Sequence, residues 1–198
     1  MEHGVLKSIA KGIRFITVPP IVVTAELILL LFFAEVFPQI LDFWLALVCL
    51  AVVPSLAYPL QKIVPVWRKK GQKMQRKLAF ILSPVGYAAA VACSVARDAI
   101  PNLLYISVTY LLSVFLLTAV NKLTPLHASG HGCSLCGSVF LPCLFLGGGA
   151  FIPGAIFFAA ALWASVYLKR HTVREFLLGA CCSALSALIC YFFIHPTF

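Results

Sequence analysis

Residues 102–121 read NLLYISVTYLLSVFLLTAVN, twenty residues without one charged side chain. A transmembrane helix needs about 20 mostly apolar residues, so this stretch predicts a membrane span. Six further segments of the same kind flank it, at 18–37, 41–61 and 78–97 before it and at 131–148, 151–168 and 175–194 after it. Gly147-Gly148-Gly149 reads as a tight turn, and with Pro153 it compresses the junction of the fifth and sixth segments. Those two segments can therefore also be one broken hairpin with a short span. The expectation is an all-α, polytopic integral membrane helical bundle with six or seven transmembrane helices, forming a single membrane domain over 1–198. No soluble domain fits anywhere, and no internal repeat is visible.

Composition agrees. The 198 residues are 62% hydrophobic and 11% charged, with a mean hydropathy of +1.03. A soluble domain carries roughly 25% charged residues, so lipid must be the main solvent of this chain. The net charge of +9 rests on few acids. That balance points to the phosphates of a bilayer surface or to anionic substrates rather than to a nucleic-acid groove. Residues 1–17 alternate Lys7, Lys11 and Arg14 with Val5, Leu6, Ile9, Ile13 and Phe15, which predicts an interfacial helix rather than a cleaved leader. Most of the eight cysteines lie in apolar segments and read as small apolar residues, not as a disulfide framework.

The span count makes a testable statement about charge. Successive spans return the chain to one face, which would carry 1–17, 62–77, 122–130 and 169–174. Those segments hold fourteen of the fifteen Lys and Arg residues. Arg97, beside Asp98, falls on the opposite face with Glu35 and Asp42. A wrong count would scatter the charges. The positive-inside rule then places the basic face in the cytoplasm.

Two stretches on that face carry chemistry. His127-Ala128-Ser129-Gly130-His131 opens the fifth span, and Tyr167-Leu168-Lys169-Arg170-His171-Thr172-Val173-Arg174-Glu175 joins the sixth to the seventh. Each sets a histidine in a polar patch at the edge of an apolar segment, a place suited to an anionic group. If Ser129 and Gly130 sit at a helix start, their backbone N–H groups point at a bound anion, and the glycine lets it approach closely. Glu175 follows His171 by four residues, one helical turn, where a carboxylate can hold an imidazole in one tautomer. Histidine serves as nucleophile or acid near neutral pH.

These stretches resemble the second and third signature motifs of the type-2 phosphatidic acid phosphatase superfamily. The second motif of that superfamily reads Pro-Ser-Gly-His, and this chain has Ala128-Ser129-Gly130-His131. The third reads Ser-Arg, five residues, His, three residues, Asp; here His171 matches and Glu175 stands at the Asp position. Ala164-Ser165 stands where the motif has Ser-Arg, so its arginine is absent, and Lys169, four residues on along the same helix face, is the candidate replacement charge. The first motif reads Lys, six residues, Arg-Pro; Lys69 and Arg76 have that spacing, with Lys77 in place of the proline. The resemblance covers about half the chain, with 122–180 as its core, and two helices between the first and second motifs mark a divergent branch.

The resemblance implies metal-independent hydrolysis of a lipid phosphomonoester or diphosphate, such as phosphatidic acid, phosphatidylglycerol phosphate or polyprenyl diphosphate. It implies His171 as the nucleophile that becomes phosphohistidine, Glu175 as its support and His131 as the acid for the leaving alcohol. Arg76, Lys69, Lys122, Ser129, Gly130, Lys169 and Arg170 would hold phosphate, with His127 accessory. No cofactor is implied. The partners are a phosphate-bearing lipid and the bilayer, with oligomeric state open. Two other readings stand beside it: a non-catalytic lipid-phosphate binder on the same fold, and a small transporter using Glu26, an intramembrane carboxylate.

Other features carry less. His127, His131, Cys133 and Cys136 are zinc-type ligands, but both cysteines would lie along a membrane helix at an unfamiliar spacing, and no metal site is expected. Gly179, Ala180, Ser183 and Ala184 form a small-residue stripe that suits close helix packing. His3 and His195 are terminal and receive no role.

Overall fold

The computed structural model describes residues 2–97, 101–194 and 196, the side chains of Glu2 and His3 apart. Asp98 and His195 lie outside the described residues. Among the described residues every regular element is helical: α1 Glu2–Ile16, α2 Pro19–Phe33, α3 Ile40–Ile63, α4 Gly71–Ala96, α5 Pro101–Leu123, α6 Gly130–Leu146, α7 Phe151–Tyr167 and α8 Val173–Ile194. A four-residue turn of helix, Pro65–Arg68, links α3 to α4, and a 3-10 turn, Gly148–Ala150, leads into α7.

Among the described residues, five helices are long and apolar enough to cross a membrane: α3, α4, α5, α7 with its leading turn, and α8. A sixth span is available if α1 and α2, bent by 56° to one another, count as one broken crossing. The chain is thus an all-helical, multi-pass membrane bundle. Its outer surface is greasy, with Phe32, Phe33, Phe115, Ile152 and Phe193 all exposed, as side chains solvated by lipid are.

The segment expected to span 18–37 is shorter than its apolar run. Val18 is extended before Pro19, as a residue preceding proline must be, and Ala34 is extended at the other end, leaving a 15-residue helix. The fifth segment is also short, at 17 residues. The sixth is a separate helix beyond the Gly147 turn, where φ is +81°. In α3 the chain passes through a π turn, Val48–Val52, just ahead of Pro54, which has no N–H to continue the ladder. Gly86 of α4 lies against the Cys49 carbonyl at that turn, where a β-carbon has no room.

Leu27, Leu30, Leu50, Ile106 and Tyr105 fill a core between α2, α3, α4 and α5. A second cluster, Val22, Leu135, Ala161 and Phe176, ties α2, α6, α7 and α8 together. At one end of the bundle Arg97 donates to Asp42 at 2.6 Å and to Gln39 at 2.9 Å, closing the start of α3 onto the end of α4. The basic loops gather at the other end.

Candidate active site

Helix α8 begins with a local device written in sequence. Thr172 and Glu175 form a capping box: Glu175 accepts from the Thr172 N–H at 2.9 Å, and the Glu175 N–H donates to Thr172 Oγ1 at 3.2 Å. This fixes the Glu175 carboxylate beside the preceding residue, and its Oε2 lies 3.6 Å from His171 Nδ1. The other ring nitrogen, Nε2, takes no part in that pair.

The start of α6 is built against the start of α8. Ser129 is the N-cap and accepts from the Gly132 N–H at 3.2 Å. Its own N–H donates to the Glu175 carbonyl at 2.8 Å. Gly132 faces the Phe176 carbonyl and Gly179 faces the Ser129 carbonyl, so two glycines let the backbones nearly touch. His131, the second residue of α6, is thereby carried to the turn that holds His171. The ring of His131 is buried edge-on to Phe176, with centroids 5.9 Å apart.

Two more pieces complete the floor. Asn121, at the end of α5, clamps the loop before α6: its amide donates to the Ala128 carbonyl at 3.1 Å and accepts from the Ala128 N–H at 3.1 Å. From the N-terminal side, buried Thr17 at the α1–α2 bend lies 3.3 Å from His131 Nε2. Arg14, one turn earlier, donates to Ser165 Oγ of α7 at 3.0 Å. Neither Asn121, Thr17 nor Arg14 stands out in sequence. Asn121 and Thr17 look like helix-end residues, and Arg14 looks like one more charge on an amphipathic face.

These elements enclose a cavity of about 1280 Å³. Arg14, Arg76, Lys122, His127, Gly130, His131, Arg170, His171 and Glu175 line it at the basic end, and Val23, Leu50, Phe80, Ile81, Val114 and Leu117 line its apolar depth. Arg170 is held across the mouth by a 3.2 Å bond to Gln72 of α4. Ser129 lies beneath the lining as the cap of α6. Two sequence candidates stand apart. Lys69 is exposed on the link before α4. Lys169 is exposed too, at φ +52°, and lines a neighbouring groove with Lys7, Lys11 and Arg14.

Burial, with Arg14 and Arg76 nearby, holds the His171 imidazole below its usual range, against the opposite pull of Glu175. The ring is therefore neutral at pH 7, with a lone pair to offer. Glu26 is buried in α2, where Tyr110 donates to its Oε2; the Tyr110 hydroxyl also lies 2.8 Å from Ser138 Oγ. Glu26 Oε1 has no hydrogen-bond partner among the described residues. All eight cysteines are free thiols. Among the described residues no three His, Cys, Asp or Glu side chains converge as a metal site requires. No family model, curated protein or solved structure matches the chain.

Proposed function

We propose that the protein is a membrane lipid-phosphate phosphatase that hydrolyses a phosphomonoester or diphosphate through a phosphohistidine, in the manner of the type-2 phosphatidic acid phosphatase superfamily. The observation that carries this reading is one cavity, cationic at its mouth and apolar in its depth, with two histidines from separate helix starts on its wall. A phosphate on an apolar tail has that same polarity.

Arg76, Arg170, Lys122 and the Gly130 N–H at the start of α6 would hold the phosphoryl oxygens and offset charge that develops during transfer. His171 Nε2 attacks phosphorus while the bond to the lipid oxygen breaks. His131 gives that oxygen its proton, releasing a lipid alcohol from a monoester or a lipid monophosphate from a diphosphate. Water then attacks the phosphohistidine, His131 takes a proton from it, the P–N bond breaks, and inorganic phosphate leaves with both histidines restored. Glu175 steadies the imidazole that carries the phosphoryl group, and no metal is needed for any step. By the positive-inside rule, this end of the bundle would face the cytoplasm.

The test is phosphate release by purified protein in detergent with EDTA, from phosphatidic acid, phosphatidylglycerol phosphate and polyprenyl diphosphate, beside His171→Ala. The expected result is release from at least one lipid that vanishes in the variant while membrane insertion is kept. Full turnover by His171→Ala would remove the nucleophile assignment. Binding of lipid phosphate with no release from any lipid would make the chain a binder.

A further inference from the structure

Arg14 is a half-buried cation in an unusual setting. Its only side-chain hydrogen-bond partner among the described residues is Ser165 Oγ, a neutral and fully buried acceptor. No carboxylate of the described residues lies within ion-pair distance of it; the pairs formed there are Arg97–Asp42 and His171–Glu175. Its charged neighbours are instead Arg170 and Arg76, which repel it. Glu175 is the sole acid on the cavity wall, and its carboxylate is already engaged by Thr172 and His171. Three guanidiniums thus gather at one mouth with no free anion among the side chains to offset them. Such a cluster is unfavourable unless an anion enters, because like charges at short range repel strongly where water is scarce.

Arg14 is also placed to act on the reacting groups. It lines the same cavity as His131 and His171. A guanidinium has five N–H donors in a rigid fork, and the bond to Ser165 accounts for one.

We propose that Arg14 is a phosphoryl-binding residue of this site, delivered by α1 onto Ser165 of α7. The N-terminal helix is then part of the site and not only an interfacial anchor. This rests on the lipid-phosphate reading for the nature of the ligand, and its test is separable from that reading because it measures binding as well as turnover.

Binding of phosphatidic acid in dodecyl maltoside micelles, against phosphatidylcholine micelles as blank, is measured for wild type, Arg14→Gln, Arg14→Lys, Ser165→Ala and Lys7→Gln. Inorganic phosphate is titrated in a parallel arm, and folding is followed by monodisperse elution. Losing a charged donor to phosphate weakens binding by about 10- to 100-fold, so Arg14→Gln is expected to lose that much for both ligands. Arg14→Lys should lie between; Ser165→Ala, which removes the acceptor that positions Arg14, should lose less than Arg14→Gln; and Lys7→Gln should stay near wild type. Wild-type binding by Arg14→Gln overturns the proposal. So does a loss confined to the lipid, which would mean that Arg14 meets the tail or the backbone and not the phosphoryl group. An equal loss in Ser165→Ala would make the arginine a structural tie between α1 and α7, and would overturn it too. If binding behaves as expected but no lipid is hydrolysed, the phosphatase reading fails while the Arg14 assignment stands.

Discussion

His171 has a free Nε2 because Glu175 occupies the other side of its ring, and Glu175 can do so because Thr172 caps the same helix. Burial, and then Arg14 and Arg76, hold the imidazole below its ordinary range near about 6.5, and Glu175 opposes them. The sign of each substitution follows. Arg14→Gln removes a cation that disfavours protonation, so the acid limb of kcat/KM should move to higher pH. Glu175→Gln removes an anion that favours it, so the limb should move lower. A pH–rate profile that shifts in neither variant would mean that another group titrates. Asn121 works at the same scale by a different route. It closes two hydrogen bonds onto Ala128, each contributing about 1 kcal/mol, so Asn121→Ala should lower the melting temperature in detergent and loosen the His127 loop, read as a loss of phosphate release.

At the scale of the element, the site depends on how closely α6 and α8 approach. A β-carbon at Gly179 would collide with the Ser129 carbonyl, and one at Gly132 with the Phe176 carbonyl. Gly179→Ala should destabilise the protein by about 1–3 kcal/mol, since neither backbone can yield cheaply. Gly149→Ala, which meets open space, is the matched control. Thermal unfolding of both in the same detergent tests the contrast; equal melting temperatures would mean that the helices tolerate separation. The end of α7 carries the opposite kind of strain. Lys169 sits in the left-handed region while the Arg170 N–H reaches back to the Ser165 carbonyl at 3.0 Å, a closure that usually employs glycine. Lys169→Gly should therefore stabilise the fold by about 1 kcal/mol, visible as a higher melting temperature.

At the scale of the molecule, the two ends of the bundle differ in charge. Arg97, Asp42 and Gln39 form a nearly neutral knot at one end, while the cavity mouth at the other gathers arginines from α1, α4 and the connection after α7. Gln72, by the cavity mouth, and Glu35, near the far end, are both exposed. In a cysteine-free background, Gln72→Cys should be modified by an impermeant maleimide only after cells are opened, and Glu35→Cys in intact cells. The reverse pattern would put the basic face outside.

The membrane class, the bounds of most helices and the shared face of the histidine loops were legible in the chain itself, while the six or seven spans expected become five, or six if α1 and α2 count as one crossing. Each follows from local quantities: the length of an uncharged run, the spacing of Thr172, His171 and Glu175, and the distribution of charge among loops. The small-residue stripe at Gly179 was legible as a packing surface, but its partner was not. That Gly179 meets Ser129, that Thr17 meets His131 and that Arg14 crosses to Ser165, 151 positions away in the chain, was decided only by tertiary packing. A cation's role depends on which charges stand near it, and for Arg14 those neighbours come from α4 and the loop after α7, whose positions relative to α1 are set by the bundle as a whole.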